Sequence, residues 1–322
     1  MRWDALALVE VRDDRPRIER QAVVREAGDT TFYEVRARTA IERVPSGSGL
    51  PHAFAVNPYR GCAHACRHCG ARGGHRRLGL DSGRDFETRI AVRTDVAARL
   101  RAELARRPGI SLAVGVTGDC YQPAEERYLL MPGVIAALRD AAVPFTVHTK
   151  NPLVLRDAEL LAECPLGSVS VSVAFVDDRV RRAVEPGAPA PQRRLELLAE
   201  LAERGVAVHA LMAPVLPLLT DSGDQLAATV GRLAAAGVRS VSPIVLRLPP
   251  GAREAYLSWL EEAHPRLLPR YADLYDRAGR PSPAYEQRVR GEVAGLARLY
   301  GMSLDRPAPP PAPPAFPQLA LI

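Results

Sequence analysis

Lysine is all but missing from this chain. Lys150 is the only one in 322 residues, Asn57 and Asn151 are the only asparagines, and nearly all of the 43 basic residues are arginine. Such a bias is compositional pressure, so the few residues that escaped it mark positions to inspect, because arginine's rigid fork does not replace a mobile ammonium everywhere. Cysteine is scarce too. Five in a chain of this length exclude the disulfide framework of small secreted domains. No stretch of about 18 uncharged apolar residues is present, which excludes a spanning helix. Met1–Asp14 mixes Arg2, Asp4, Glu10, Arg12, Asp13 and Asp14 with apolar residues and lacks the basic, apolar, small-residue order of a secretory signal. These absences predict a cytoplasmic protein without membrane contact. There is no internal repeat.

What remains is an ordinary globular composition, 47% hydrophobic and 25% charged, long enough for a sizeable core. The formal charge of +6 is compatible with a polyanionic partner, but the arginines are spread along the chain, often beside Asp or Glu.

Apolar, β-branched runs at Phe54–Asn57, Ile110–Thr117, Phe145–Thr149, Ser168–Phe175, Ala207–Ala213 and Ser240–Leu248 have strand length. Amphipathic stretches with helical spacing lie between them, among them Thr88–Ala105, Glu125–Ala141, Pro191–Arg204 and Asp224–Ala236. Strand alternating with helix builds parallel units whose strands are buried on both faces and read as continuous apolar runs. Six units predict an α/β fold, a partial (β/α)6 TIM-like barrel spanning 51–250. An N-terminal extension, 1–50, precedes it and a C-terminal helical segment, 251–306, follows. The Pro-rich stretch 307–322 reads as an extended polyproline tail.

Cys62, Cys66 and Cys69 have the spacing C-x3-C-x2-C and follow the first strand through Asn57-Pro58-Tyr59-Arg60-Gly61. Their loop therefore leaves the C-terminal end of a strand, the edge where α/β folds place their chemistry. Three thiolates leave one corner of an iron-sulfur cubane open to a ligand. The other reading is a closed Cys3His zinc site, with His64 or His68 as fourth ligand, in a zinc-stabilised nucleic-acid-binding module.

The cysteine loop resembles the signature of the radical S-adenosylmethionine (SAM) superfamily. More narrowly, Asn57-Pro58-Tyr59-Arg60-Gly61-Cys62, Ala71-Arg72, Asp85-Phe86-Glu87-Thr88, Gly115-x-Thr117-x-Asp119-x-Tyr121-Gln122-Pro123, Thr149-Lys150 and Ala213-Pro214-Val215-Leu216-Pro217 resemble its spore photoproduct lyase-like branch. The matches run in order from Met1-Arg2-Trp3-Asp4 to about residue 300. The resemblance implies a [4Fe-4S] cluster on Cys62, Cys66 and Cys69, SAM on its open iron, and an external one-electron reductant of flavodoxin or ferredoxin type. It also implies a 5′-deoxyadenosyl radical that abstracts hydrogen from a substrate. DNA photoproduct repair is the branch's best-known reaction, and a small molecule, peptide or RNA are the alternatives, because a fold does not transmit a substrate. A monomer is expected.

By the same resemblance Lys150 meets the cofactor carboxylate, Ser172 on the fourth strand meets its ribose or amino-acid end, and His68, Thr117 and Ala213 complete its contacts. The branch usually has aromatic residues around the third cysteine where this chain has His68 and Gly70. Gly70 with Gly73-Gly74 is expected to loosen the loop or open space above the cluster. Asp119, Cys120 and Tyr121, leaving the second strand with Gln122, are the catalytic candidates. Cys120 stands where the pattern commonly has proline, and the branch's hydrogen-donating cysteine aligns earlier, near Val116, so Cys120 is either a thiol donor or a small buried residue. Only Cys164 remains besides, too few for a second cluster.

Overall fold

The computed structural model describes residues 18–19, 22–44 and 50–304. Met1–Asp4 and the Pro-rich stretch 307–322 lie outside the described residues. Twelve strands are formed among the described residues: β1 (Val23–Ala27), β2 (Thr30–Val35), β3 (Ile41–Arg43), β4 (Phe54–Val56), β5 (Tyr59–Arg60), β6 (Arg89–Arg93), β7 (Leu112–Val114), β8 (Phe145–Thr149), β9 (Gly167–Ser172), β10 (Val208–Val215), β11 (Ser240–Val245) and β12 (Ser303–Leu304). β4, β7, β8, β9, β10 and β11 are six parallel neighbours in chain order, as the sequence predicts. β3 adds antiparallel to β4, and β12 adds parallel to β11. The two edge strands do not pair with each other, so the barrel is partial.

Helices cover the outer face: Val96–Leu104, Met131–Asp140, Ala158–Ala162, Pro191–Glu203 and Gly223–Ala235. The last opens with a capping box, Ser222 bonding the Gln225 amide while the Gln225 side chain returns to the Ser222 backbone. One core joins Leu138, Leu161, Leu198 and Leu233 of these helices to Val147, Val169, Val171 and Val241 of the strands.

The strands differ from expectation in one respect. They alternate. Valines face the helices, whereas Thr146, His148, Ser168, Ser170, His209 and Ser240 share the inner face, with His148 level with Ser170 and Ser170 level with His209. Burying these groups is tolerable where they bond each other. His209 reaches Ser240 Oγ at 2.8 Å and Ser242 Oγ at 3.1 Å, and His52 reaches Thr146 Oγ1 at 2.9 Å. The bore is polar.

Three further elements depart from the sequence reading. Arg89–Arg93, expected to begin a helix, is β6, because its own alternation lets it pair between β2 and β5 in a second sheet, ordered β1-β2-β6-β5. The helix expected over Glu125–Ala141 is broken at Leu129 (φ 49°) into Ala124–Tyr128 and Met131–Asp140. Glu125 turns inward and accepts the Leu130 and Met131 amides at 3.0 Å each, which caps the second piece. The C-terminal segment holds Ala252–Ala263, Leu268–Leu274 and Pro283–Leu299, then ends in strand β12.

Candidate active site

The cysteine loop begins at Gly61 (φ 86°), where a side chain would press on Ile90 and the Arg89 carbonyl, each 3.0 Å from a Cβ. Its backbone is held at almost every step. Gln122, fully buried, accepts the Ala63 amide at 3.0 Å and donates to the Gly61 carbonyl at 2.9 Å, so it clamps both sides of Cys62. Arg72, 1% exposed, donates to the Cys66 carbonyl at 2.9 Å and to Ala65 at 3.2 Å. Its remaining donors meet Ser82, Gly83 and Glu87. From the other side the Arg67 amide donates to Val184 at 2.9 Å and the Gly187 amide to His64 at 3.1 Å. A Cβ on Gly187 would overlap the Ala63 carbonyl.

The loop faces a cavity of about 700 Å3 at the C-terminal ends of the strands, and Cys62, Cys66 and Cys69 all line it. Burial pushes the Cys62 thiol up to about 12 and holds the Cys66 thiol well above its ordinary value, so metal loading must release their protons. Thr117 and Ser170 line the same cavity, and each has a buried hydroxyl without a hydrogen-bond partner. Such orphaned groups point to a polar ligand. Three thiols, two spare hydroxyls and an ammonium lining one cavity fit a three-cysteine cluster with a polar cofactor beside it.

The ammonium is Lys150, whose side chain is 18% exposed and whose Nζ lies 3.8 Å from Glu185 Oε1. Burial alone would lower its pKa, but Glu185 and then Cys66 more than offset this and hold it above the ordinary lysine value. Glu185 is 1% exposed. It bonds His68 Nε2 at 3.0 Å and pairs with Arg194, which also donates to the Pro189 and Ser172 carbonyls. Burial opposes the Glu185 charge, yet Arg194 and Lys150 keep its carboxyl well below the usual range.

Asp119 organises the opposite side. Its Oδ1 accepts from the Tyr121 amide at 2.8 Å and from Thr149 Oγ1 at 2.7 Å, and its Oδ2 accepts from the Lys150 amide at 2.7 Å. His64 Nδ1 lies 3.5 Å from the same Oδ2.

The structure thus places Asp119, His68, Thr117, Lys150, Ser172 and Ala213 on the cavity with the three cysteines. Ser172 Oγ is spent on the Ala213 carbonyl at 2.7 Å, and Ser170, one turn of the pleat deeper, has the free hydroxyl. Cys120 and Tyr121 are elsewhere. Both are fully buried in the main core, with the Cys120 thiol toward the His148 carbonyl and the Tyr121 hydroxyl on Asp157 at 2.8 Å. Neither lines the cavity, because the chain turns back into the barrel wall after Asp119. Cys164 is buried, its thiol on the Leu160 carbonyl.

Glycine at Gly73 has a different reason from the looseness expected of it. A Cβ there would overlap the Pro250 carbonyl oxygen, and Gly251 faces Gly73 backbone to backbone. Glu185 and Arg194 escaped the sequence reading. An acid before Pro186-Gly187 and an arginine nine positions on carry no spacing rule that ties them to a cysteine loop.

Cys66, His68 and Glu185 have ligand atoms within 4.8 Å of one another, the one such trio among the described residues. Cys62 and Cys69 do not join that trio, so the closed Cys3His set of the zinc reading is not gathered among the described residues.

The comparisons agree. The profile of the radical SAM superfamily matches residues 56–230. The uncharacterized protein Mb2609c of Mycobacterium bovis is 44% identical over 288 residues, 87% of this chain and 84% of its own. The uncharacterized protein ORF301 of Acidianus two-tailed virus is 28% identical over 213 residues, 63% of this chain and 70% of its own. Among solved structures, spore photoproduct lyase complexed with dinucleoside spore photoproduct superposes with a TM-score of 0.66 at 15% identity, covering 85% of this chain and 81% of that one. A variant of the same enzyme with bound AdoMet gives the same values. That likeness is one of fold, and the family follows from the profile and the sequence relatives: this chain belongs to the radical SAM superfamily and is a radical SAM enzyme.

Proposed function

We propose that Cys62, Cys66 and Cys69 hold one [4Fe-4S] cluster, that SAM occupies the cavity beside it, and that the enzyme abstracts hydrogen from a nucleic-acid substrate. The observation that carries this is the meeting of three thiols, Lys150 and two spare hydroxyls on a single cavity. Bound there, cluster and SAM together supply one-electron cleavage to methionine and a 5′-deoxyadenosyl radical, with the electron coming from a flavodoxin- or ferredoxin-type donor. Lys150 offers its ammonium to the cofactor carboxylate, and Thr117 and Ser170 offer hydroxyls to its polar groups. Asp119 acts by position, locking the Lys150 backbone and His64 to one carboxylate. Val116, Leu211, Ile244 and Leu246 add an apolar stretch of wall that keeps water from a reactive intermediate.

The nucleic-acid reading is supported by Arg247 and Arg280, which line the cavity, pair with Glu286 and Asp276 and can exchange those carboxylates for phosphate oxygens, and by the fold shared with spore photoproduct lyase. A photoproduct-type DNA lesion is the substrate of first choice. No described helix is long and apolar enough to cross a membrane.

Anaerobic reconstitution should give brown protein with about four irons per chain that releases 5′-deoxyadenosine under dithionite, and Cys62→Ala, Cys66→Ala or Cys69→Ala should abolish both. One tightly bound zinc and no cluster would overturn the reading. Lys150→Ala should keep its iron and bind SAM roughly 10- to 100-fold more weakly, the worth of one charge-assisted hydrogen bond. Turnover with an ultraviolet-irradiated oligonucleotide, set against the unirradiated strand, tests the substrate.

A further inference from the structure

Glu185 is the charged group that the proposed chemistry does not use. It is 1% exposed, and one of its oxygens lies within 4.8 Å of both Cys66 Sγ and a ring nitrogen of His68. A carboxylate is not buried at such a place without compensation. Compensation here comes from Arg194 on Oε2, His68 on Oε1 at 3.0 Å and Lys150 at 3.8 Å. Arg194 is itself immobilised by the Pro189 and Ser172 carbonyls. One fixed anion therefore stands beside a single cluster ligand, with one cation behind it and another toward the cavity.

The potential of an iron-sulfur cluster depends on the charges and hydrogen bonds around its ligands, and in a low-dielectric interior a unit charge at this range acts strongly. We propose that Glu185 is a positioning residue that sets the reduction potential of the cluster, through its negative charge beside Cys66. This rests on the reading that Cys62, Cys66 and Cys69 hold the cluster. The charge makes an added electron less favourable, and Arg194 and Lys150 limit that effect. Glu185 would thereby keep the cluster a strong reductant without leaving an uncompensated anion in the core.

Charge and shape can be separated at this position. Glu185→Gln keeps the shape and removes the charge, whereas Glu185→Asp keeps the charge and shortens the side chain. Glu185→Gln/Arg194→Gln removes one charge of each sign and leaves Lys150 as the cation at the site. The full chain, reconstituted anaerobically and free of SAM, is titrated with dithionite through redox mediators while the reduced cluster is followed by electron paramagnetic resonance. Glu185→Gln should shift the midpoint to a more positive value, Glu185→Asp should stay near wild type, and the double variant should shift in the same direction as Glu185→Gln but by less, because Arg194 stands behind the carboxylate. An unchanged midpoint in Glu185→Gln, or a shift in Glu185→Asp as large as in Glu185→Gln, overturns the inference. If Glu185→Gln does not fold, the double variant decides it: a smaller positive shift supports the role of the charge, an unchanged midpoint overturns it, and a shift in Glu185→Asp assigns the effect to shape. Wild-type protein without iron would instead refute the cluster itself, so the two failures are distinct.

Discussion

Gly73→Ala is the smallest change that should disturb the rim of the active site. A Cβ at Gly73 would overlap the Pro250 carbonyl oxygen and stand 3.3 Å from the Pro250 carbonyl carbon. Both obstacles are backbone, so no side chain can swing away. The opposite residue cannot yield either, because Gly251 (φ 91°) lies with its own Cβ position 2.7 Å from Gly73 Cα. The segment Leu248–Gly251 must therefore move off the 3-10 helix Arg72–Leu78. Leu248 in turn donates to the Gly279 carbonyl at 2.8 Å, and Pro249, Gly279 and Arg280 all line the cavity, so the displacement reaches the site. Overpacking of this kind costs about 1–3 kcal/mol, or roughly 1.5–4.5 °C in Tm for a chain of this size. The neighbouring residue is the control. Gly74 has nothing within 4 Å of its Cβ position, and Gly74→Ala should stabilise by about 0.4–1 kcal/mol through the unfolded chain. Urea unfolding followed by circular dichroism should thus separate two adjacent, chemically identical substitutions by at least about 1.4 kcal/mol. Coincident midpoints, or a greater loss in Gly74→Ala, would refute the close-approach argument.

Arg72→Met should destabilise the protein by at least about 3 kcal/mol, because it removes the donor that joins the Ala65, Cys66, Ser82 and Gly83 carbonyls and leaves Cys66 only the Cys69 amide; iron content after reconstitution should fall with the urea midpoint, and full iron loading would show that the loop keeps its shape unaided. Cys120→Ala should lose about 1 kcal/mol or less, the worth of a small buried side-chain atom, and should keep wild-type iron content, 5′-deoxyadenosine release and product distribution; off-pathway product at normal 5′-deoxyadenosine release would return Cys120 to the reaction as a thiol donor. Stability should also fall on the acid side of neutrality. Burial lowers the pKa of His75, although its ring donates to the Arg89 carbonyl at 2.9 Å, so the folded chain binds this proton more weakly than the unfolded chain does. Stability is therefore complete above the ordinary histidine pKa near 6.5 and is lost as pH falls through it toward the lower folded value. Urea midpoints at pH 8 and pH 5.5 should show the loss, and His75→Gln, which keeps a donor and cannot titrate, should reduce it; an equal fall in the variant would assign the effect to other groups.

The strand-helix alternation, the six parallel strands and the cysteine loop at the rim were legible in the sequence, because each depends on local period and spacing. Lys150 was legible for a rarer reason, since a single lysine in an arginine-rich chain stands out before any coordinates exist. The polar bore was less visible. Ser168, Ser170 and Ser172 show their period of two within one strand, but that His148 and His209 stand level with Ser170 is a matter of register between strands. Cys120 and Tyr121 sit in the same short motif as Asp119, yet one backbone turn sends Asp119 to the cavity and the other two into the core. Spacing cannot report such a turn. The clamps on the cysteine loop come from Gln122, Arg72 and Gly187, up to 125 positions from the cysteine they serve, and Glu185 meets Cys66 only because the chain after β9 folds back beneath the loop. Local composition and period determine which elements form. Which buried charges become neighbours is decided by packing, where an ion is tolerated only if residues distant in the chain arrive to neutralise it.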